Sequence, residues 1–272
     1  MSPNGSFLFA NVPPGRYRIQ ARGETEREGL TLFQQFTLPV GGADQTVGRM
    51  LLLRGAVVSG RVEWSSNSGR VPMSRDGISV RAPMADGNTF GDALTGDIDA
   101  DEQWSIRGVM AGEHVFRMEG LPEGWHLQSV DLLGRDITDV PYLFEYNQVV
   151  PCFRIVLTDL ASRVFGYLTP YAREDPQSFA VVVFSENAVY WRPDSRHVRL
   201  VYPDATGRFS VTGLPPGRYM IAAALDIDAS DLARPEVFDA LRSHRTTETF
   251  VLEEGKSRRV DIRPAIRTAR DR

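Results

Sequence analysis

Four histidines, one cysteine and a short acidic run are the residues whose types and spacing come nearest to known chemistry. His114, His126, His197 and His244 all lack a glutamate three residues on, so the His-x-x-Glu pair and the HExxH motif of zinc peptidases are absent. His114 falls at an inward strand position, where a core or turn-end imidazole is expected rather than a metal ligand. Cys152 lies between Pro151 and Phe153, and spacing assigns it no histidine or aspartate. It reads as a small buried side chain without a nucleophile's surroundings. Asp97, Asp99 and Asp101 stand at alternate positions, as oxygen ligands do in calcium loops. The glycine after the third aspartate is missing, however, and Gly108 occupies the place of the twelfth-position glutamate. A solvated acidic turn is expected there, with calcium as the weak candidate. Asp99 with Asp101 and Glu253 with Glu254 are carboxylate pairs, but spacing does not place them on two sides of a substrate. No G-x-S-x-G elbow, phosphate-binding loop or dinucleotide fingerprint occurs, so no cofactor is implied and an enzyme is not expected.

Aromatic side chains are the other candidates. Trp64, Trp125, Tyr190 and Trp191 lie near strand ends or in loops, where sugar-stacking faces tend to sit. Phe165 and Tyr167 lie on the strand face opposite Val164 and Leu168. Such rings also fill seams between neighbouring domains, and packing is the reading expected here. A binding face would show two or three coplanar exposed rings on one domain, whereas a spacer would bury them at junctions.

The elements that must position these groups are set by an internal repeat. Three segments read alike, GSFLFANVPPGRYRIQARG from Gly5, EQWSIRGVMAGEHVFRMEG from Glu102 and GRFSVTGLPPGRYMIAAAL from Gly207. Their turn glycines, Gly15, Gly112 and Gly217, are 97 and 105 residues apart. Each predicts a hairpin. Phe7 and Phe9, Trp104 and Ile106, and Phe209 and Val211 alternate along a first strand. Pro-Pro-Gly or Met-Ala-Gly turns the chain, and Tyr17, His114 or Tyr219 begins the inward face of the return. A second repeated element, with Val58, Gly60 and Val62 in one copy and Val164, Gly166 and Leu168 in the other, is displaced by 106 residues. An apolar strand precedes each, Met50–Leu53 and Phe153–Leu157, and Val260–Ile262 repeats it.

These edges predict an all-β chain of tandem antiparallel immunoglobulin-like or transthyretin-like β-sandwiches. Residues 1–52 are the C-terminal part of an incomplete sandwich, 53–158 and 159–265 are complete ones, and 266–272 form a flexible basic tail. The missing opening strands of the first unit lead us to expect polypeptide upstream of Met1, or a misassigned start, so the missing leader peptide carries no information about location. One short helix is expected at about 234–244, its proline near the start and Val237, Phe238 and Leu241 on one face, capping an end or edge of the last sandwich.

Composition narrows the function classes. The 272 residues are 42% hydrophobic and 24% charged, in the range of a globular protein. A net charge of −4 gives no reason to expect a nucleic-acid partner. No apolar stretch reaches the roughly 18 residues of a membrane-spanning helix, so no direct span is expected. One cysteine forbids an internal disulfide and is neutral about compartment.

The G-x-F-x-[FV]-x-x-[VL]-P-P-G-x-Y signature resembles carboxypeptidase regulatory-like modules, which have a transthyretin-like (prealbumin-like) sandwich of the carbohydrate-binding-like group. It also resembles repeats of long proteins from Acidobacteria, in which Gly134–Asp139 and the Val181–Phe184 strand followed by Trp191 have counterparts. The middle unit departs from the signature, with Met110-Ala-Gly112-Glu-His114 replacing Pro-Pro-Gly-Arg-Tyr. The resemblance implies accessory, spacer or recognition domains of an exported protein, periplasmic, outer-membrane-associated or extracellular. It also implies a polysaccharide, a surface protein or upstream domains of the same polypeptide as partners. A carbohydrate-binding array is the alternative, and an unrecognised hydrolase across the two complete sandwiches the least expected.

Overall fold

Period-two alternation of apolar side chains makes many of the strands, as the alternating burial along Gln103–Val109 shows. The computed structural model describes residues 5–24, 31–88, 94–170 and 174–264, and within them holds twenty strands and one α-helix. The expected tail, 266–272, lies outside the described residues.

The first sheet contains β1 (Gly15–Glu24), β2 (Thr31–Val40) and β3 (Leu53–Arg54). β1 and β2 pair antiparallel along all ten residues of each, from Gly15 opposite Val40 to Glu24 opposite Thr31. Phe33 of β2 is buried with Met84 and Met110, joining this sheet to the next group of strands.

That next group has two layers. One comprises β4 (Ala56–Ser65), β7 (Gln103–Val109), β10 (His126–Leu132), β11 (Arg135–Asp136) and β13 (Val149–Thr158), in the order β11-β10-β13-β4-β7. Facing it are β5 (Ser79–Arg81), β6 (Thr95–Asp97) and β9 (Arg117–Glu119), with β8 (Gly112–His114) paired to β12 (Tyr142–Phe144). Val58, Trp104, Ile106, Val130, Phe153 and Ile155 meet Val80, Phe116 and Phe144 in one core. The aromatic rings interlock there, with Phe116 and Phe153 centroids 4.7 Å apart.

The last group repeats the plan. β14 (Arg163–Tyr167) lies between β17 (Arg208–Thr212) and β20 (Ser257–Arg259). The facing layer is β16 (Val198–Val201), β15 (Phe179–Ser185), β18 (Gly217–Leu225) and β19 (Glu248–Leu252), in that order. Val164, Phe209 and Val211 pack against Val181, Val183, Tyr219, Ile221 and Phe250.

Three expectations are corrected. The segments around Gly15, Gly112 and Gly217 are not hairpins. β7 pairs with β4 and β17 with β14, whereas β8 and β18 belong to the opposite layer. The Pro-Pro-Gly link is an arch between layers, because prolines donate no N–H to continue a ladder and both flanking strands must face one core. The sandwiches are also not wholly antiparallel, since β4 with β13 and β14 with β20 are parallel pairs of first and last strands. Finally, α1 (Pro235–Ser243) covers a sheet face rather than an end or edge. Phe238 and Leu241 lie over Ala180, Val182, Phe184, Met220 and Ala222, which point away from the inter-sheet core. With both faces covered, β15 is buried at all seven positions, so its sequence is a continuous apolar run.

Candidate functional site

An arch tyrosine starts the most concentrated set of interacting polar groups. Tyr219 donates to Pro215 O at 2.8 Å, four residues back, and Tyr17 repeats this with Pro13 O at 2.8 Å. In the middle unit His114 Nε2 lies 2.9 Å from Met110 O, so the imidazole takes the tyrosine's place against the same carbonyl. Tyr219 has no exposed surface and its oxygen also meets His197 Nδ1 at 3.0 Å. His197 begins the step from the loop at 191–197 into β16, and its Nε2 is 3.1 Å from Asp139 Oδ2. Asp139 belongs to the other two-layer group, at the end of the Gly134–Asp139 segment.

Around Asp139 the loop supplies a shell of donors. Arg196 donates to both carboxylate oxygens, Nε to Oδ1 at 3.1 Å and Nη2 to Oδ2 at 2.6 Å, and its Nη1 reaches Leu127 O at 2.5 Å. Arg192 donates to the Asp139 carbonyl. In return Arg117, from β9, donates through Nε to Asp194 O at 2.5 Å. Pro193 closes over Gly87, where an added Cβ would lie 2.6 Å from Pro193 Cγ. Tyr190 stacks on the His197 ring with centroids 4.0 Å apart and planes 11° off parallel. On the linker, Asp159 Oδ1 accepts from Asn67 N at 2.6 Å and Oδ2 from Ser68 N at 3.0 Å.

The electrostatics fit a closed structural seam. Burial by itself would raise the Asp139 carboxyl, but hydrogen bonds and charge from His197 and Arg196 outweigh it and hold the group well below the usual carboxylate range. Burial lowers Arg117 to about 10, against the attraction of Asp139. An Asp–His–hydroxyl chain also invites a hydrolase reading. Here the hydroxyl is a phenol whose proton goes to Pro215 O, and burial drives it further above its ordinary value. Its complete enclosure leaves no approach for a substrate.

The aromatic candidates are not brought together. Trp191 is buried under α1, stacked on Phe238 at 5.3 Å and donating from Nε1 to Ser185 O at 2.7 Å. Trp64 and Trp125 meet edge to face, 4.9 Å apart and 79° between planes, so they offer no common plane. Trp64 Nε1 donates to Glu102 Oε2 at 2.8 Å and Arg75 lies 4.6 Å over its ring. Burial would raise the Glu102 carboxyl, but bonds from Arg75 and Trp64 keep it below its ordinary value. Tyr190 alone of the four sits at the Asp139 seam. Tyr167, by contrast, is exposed on β14 with Arg259 5.7 Å from its ring.

Of the acidic run, Asp99 Oδ1 accepts from Asp101 N at 2.9 Å and Gln103 N at 2.8 Å, closing its own turn. Asp204 does the same with Thr206 N and Arg208 N, at 2.9 and 3.0 Å. Asp97 is on β6, and among the described residues no three histidines, cysteines or acids gather as a metal site would. Cys152 is exposed, contrary to the burial expected from its neighbours. A bulge between Val150 and Phe153 turns it out of the ladder, with φ of 71°. Sequence reasoning singled out Gly134–Asp139 and His197 but did not join them, and it missed Arg196 altogether.

No family model and no curated protein matches the chain. Among solved structures it is similar to the TIE protein of Bacillus anthracis, with 9% identity, 94% of this chain and 45% of that one covered, and a TM-score of 0.24. It thus spans under half the length of that protein. A streptococcal ancillary pilin shows 14% identity, with 94% and 77% covered and a TM-score of 0.26. GBS52, the minor pilin of Streptococcus agalactiae, shows 8% identity, 80% and 99% covered and a TM-score of 0.28. No helix among the described residues is long and apolar enough to cross a membrane.

The enclosure of Trp191 gives an expected outcome. Trp191→Ala should cost about 3–5 kcal/mol in chemical denaturation, as truncation of a buried core aromatic does. Trp125→Ala, at a half-exposed edge, should cost less. Saturable glycan binding abolished by Trp125→Ala at unchanged stability would overturn the packing reading of that ring.

Proposed function

We propose that the chain is a non-catalytic run of tandem β-sandwich modules, 1–52, 53–158 and 159–265, serving as a spacer or recognition segment of an exported surface protein. The finer kinship we favour is with carboxypeptidase regulatory-like, transthyretin-like modules, on the arch signature. Its partners on this reading are further modules of the same polypeptide and a polysaccharide or surface protein.

The observation that supports the spacer role is the closed Asp139 seam. A flexible linker would let neighbouring sandwiches tumble, and inter-domain motion is the ordinary expectation when an interface is small and open. Here the half-buried Asp139 is held by Arg196 and His197 of the next unit, and Arg117 reaches back to Asp194. Such directional bonds fix one orientation, as a strut that transmits position or load requires.

Spin labels at native Cys152 and at an Ala205→Cys substitution, one on each complete sandwich, test this by pulsed electron resonance. A single narrow distance distribution at neutral pH is expected. A broad distribution spanning tens of ångströms would end the rigid-spacer reading.

A further inference from the structure

The last sandwich has two outward faces, and they differ. α1 covers the outer face of β15 and β18, whereas the outward side chains of β17-β14-β20 stay exposed or half-buried. Val164 and Gly166 point into the core, so Arg163, Phe165 and Tyr167 point out along the central strand. Across the ladders Arg163 stands between Thr212 and Ser257, Phe165 between Ser210 and Arg259, and Tyr167 opposite Arg208. Asp261, past the end of β20, accepts from Tyr167 N at 3.0 Å.

Each ring carries a guanidinium. Arg163 lies 5.3 Å from the Phe165 centroid and Arg259 5.7 Å from the Tyr167 centroid. Arg163 Nε also donates to Ser210 Oγ at 2.9 Å. A guanidinium laid on a ring has less rotamer freedom to lose on binding and keeps its planar fork ready for a carboxylate. Arg208, at the far corner, makes no ion pair among the described residues, and Asp204 before it is spent on the amides of its own turn.

The fold does not require this surface. A shift of 106 residues puts Ser59 and Arg61 of β4 in the places of Phe165 and Tyr167, and Glu63 in the place of Thr169. In the middle sandwich Glu63 pairs with both Arg61 and Arg154 and offsets their charge. The last sandwich lacks that acid. Its face sets Arg163, Arg208 and Arg259 against Asp261 alone, in a chain whose net charge is −4.

We propose that the outer face of β17-β14-β20 docks an extended acidic polypeptide, its carboxylates on Arg163 and Arg208 and an apolar side chain between them against Phe165 and Tyr167. Charge complementarity selects an acidic partner, and composition agrees, since aromatic residues and arginine are enriched at protein interfaces. An arginine already lies over each ring, where a sugar or base would stack, and this favours a polypeptide over a glycan or nucleic acid. Asp261 makes the same kind of contact within the chain, meeting Arg259 Nε at 3.1 Å and Nη2 at 2.9 Å. Arg163 and Arg208 are four positions apart along the strands, so the carboxylates they take are about 13 Å apart. Glutamates at i and i+4 of an extended segment have that reach and share one face with the side chain at i+2.

This docking rests on the recognition role proposed above and deepens it. The spin-label distance reads the orientation of the sandwiches and peptide binding reads one face, so each can fail alone. Fluorescence anisotropy follows a labelled peptide, Ser-Glu-Ser-Val-Ser-Glu-Ser, titrated with the full chain at low salt. Unlabelled peptide, the isomer Ser-Ser-Glu-Val-Glu-Ser-Ser, polygalacturonate and oligothymidylate serve as competitors. Saturable binding is expected, displaced best by the unlabelled peptide itself. It should weaken by about tenfold when Arg163→Gln and Arg208→Gln are combined, and measurably in Tyr167→Ser, at unchanged urea midpoints. Arg61→Gln, on the matching face of the middle sandwich, should bind as the wild type does. Absence of saturable binding, equal binding by the double variant, or displacement at least as effective by the isomer, polygalacturonate or oligothymidylate overturns the proposal.

Discussion

Replacing Asp139 with alanine is expected to destabilise the chain by about 3–5 kcal/mol and to broaden the distance distribution between labels on Cys152 and Ala205→Cys. The magnitude follows from what is left behind. Asp139, Arg196 and His197 keep only 13%, 11% and 9% of their side-chain surface exposed. Without the carboxylate, Arg196 and His197 lose their shared acceptor inside the seam, where water cannot fully replace it. A buried pair often contributes little net stability compared with an apolar isostere, yet removing one partner alone is costly. Urea denaturation supplies the energy and the label distance supplies the orientation. A loss under about 1 kcal/mol with an unchanged distance would sink the latch role of Asp139.

Acid should act on the wild type through the same group. Its carboxyl is held below its ordinary value in the fold, so the unfolded chain binds the proton more readily. The stabilisation is fully present above the unfolded value, about 3.9, and is lost as pH falls from there towards the folded value. The narrow distance distribution should persist at pH 5 and widen only as pH falls well below about 4, towards the folded value. In Asp139→Ala the widening should already be present at neutral pH.

Gly166→Val is the second large effect, and it needs no charge. The new Cβ would stand 1.9 Å from Val260 O and 2.7 Å from its carbonyl carbon. That carbonyl cannot simply withdraw, because Val260 N bonds Phe165 O and Ile262 N bonds Tyr167 O, both at 2.9 Å. The parallel pairing of β14 with β20 must open, at a cost of about 4 kcal/mol or more. Loss of cooperative thermal unfolding in the last sandwich is the expected reading. Thr212→Val, exposed on the neighbouring strand, should stay within about 0.5 kcal/mol.

The sequence made most strands legible through local side-chain alternation, and misread the pairings that depend on distant partners. Phe7 and Phe9 have the same pattern as Phe209 and Val211, yet only the latter have a β14 beside them. The Pro-Pro-Gly link looked like a hairpin turn, since proline and glycine mark a reversal without naming the layer that receives the return strand. The helix was legible from Val237, Phe238 and Leu241, but not its seat on β15 and β18, which depends on the outward faces of strands far away in sequence.

The candidate site divides the same way. Asp99 and Asp204 reveal their turns locally, because each carboxylate bonds amides two and four residues on. Asp139 lies 57 and 58 residues from Arg196 and His197, and nothing in the spacing of an aspartate, an arginine and a histidine at that separation singles them out. By itself the sequence determined the all-β class, the repeat and its glycines, since these rest on periodicity and on backbone demands felt within a few residues. Tertiary structure alone decided which strand is central, which glycine must be bare and which charges meet across the seam, because each is set by atoms that only the packed layers bring within a few ångströms.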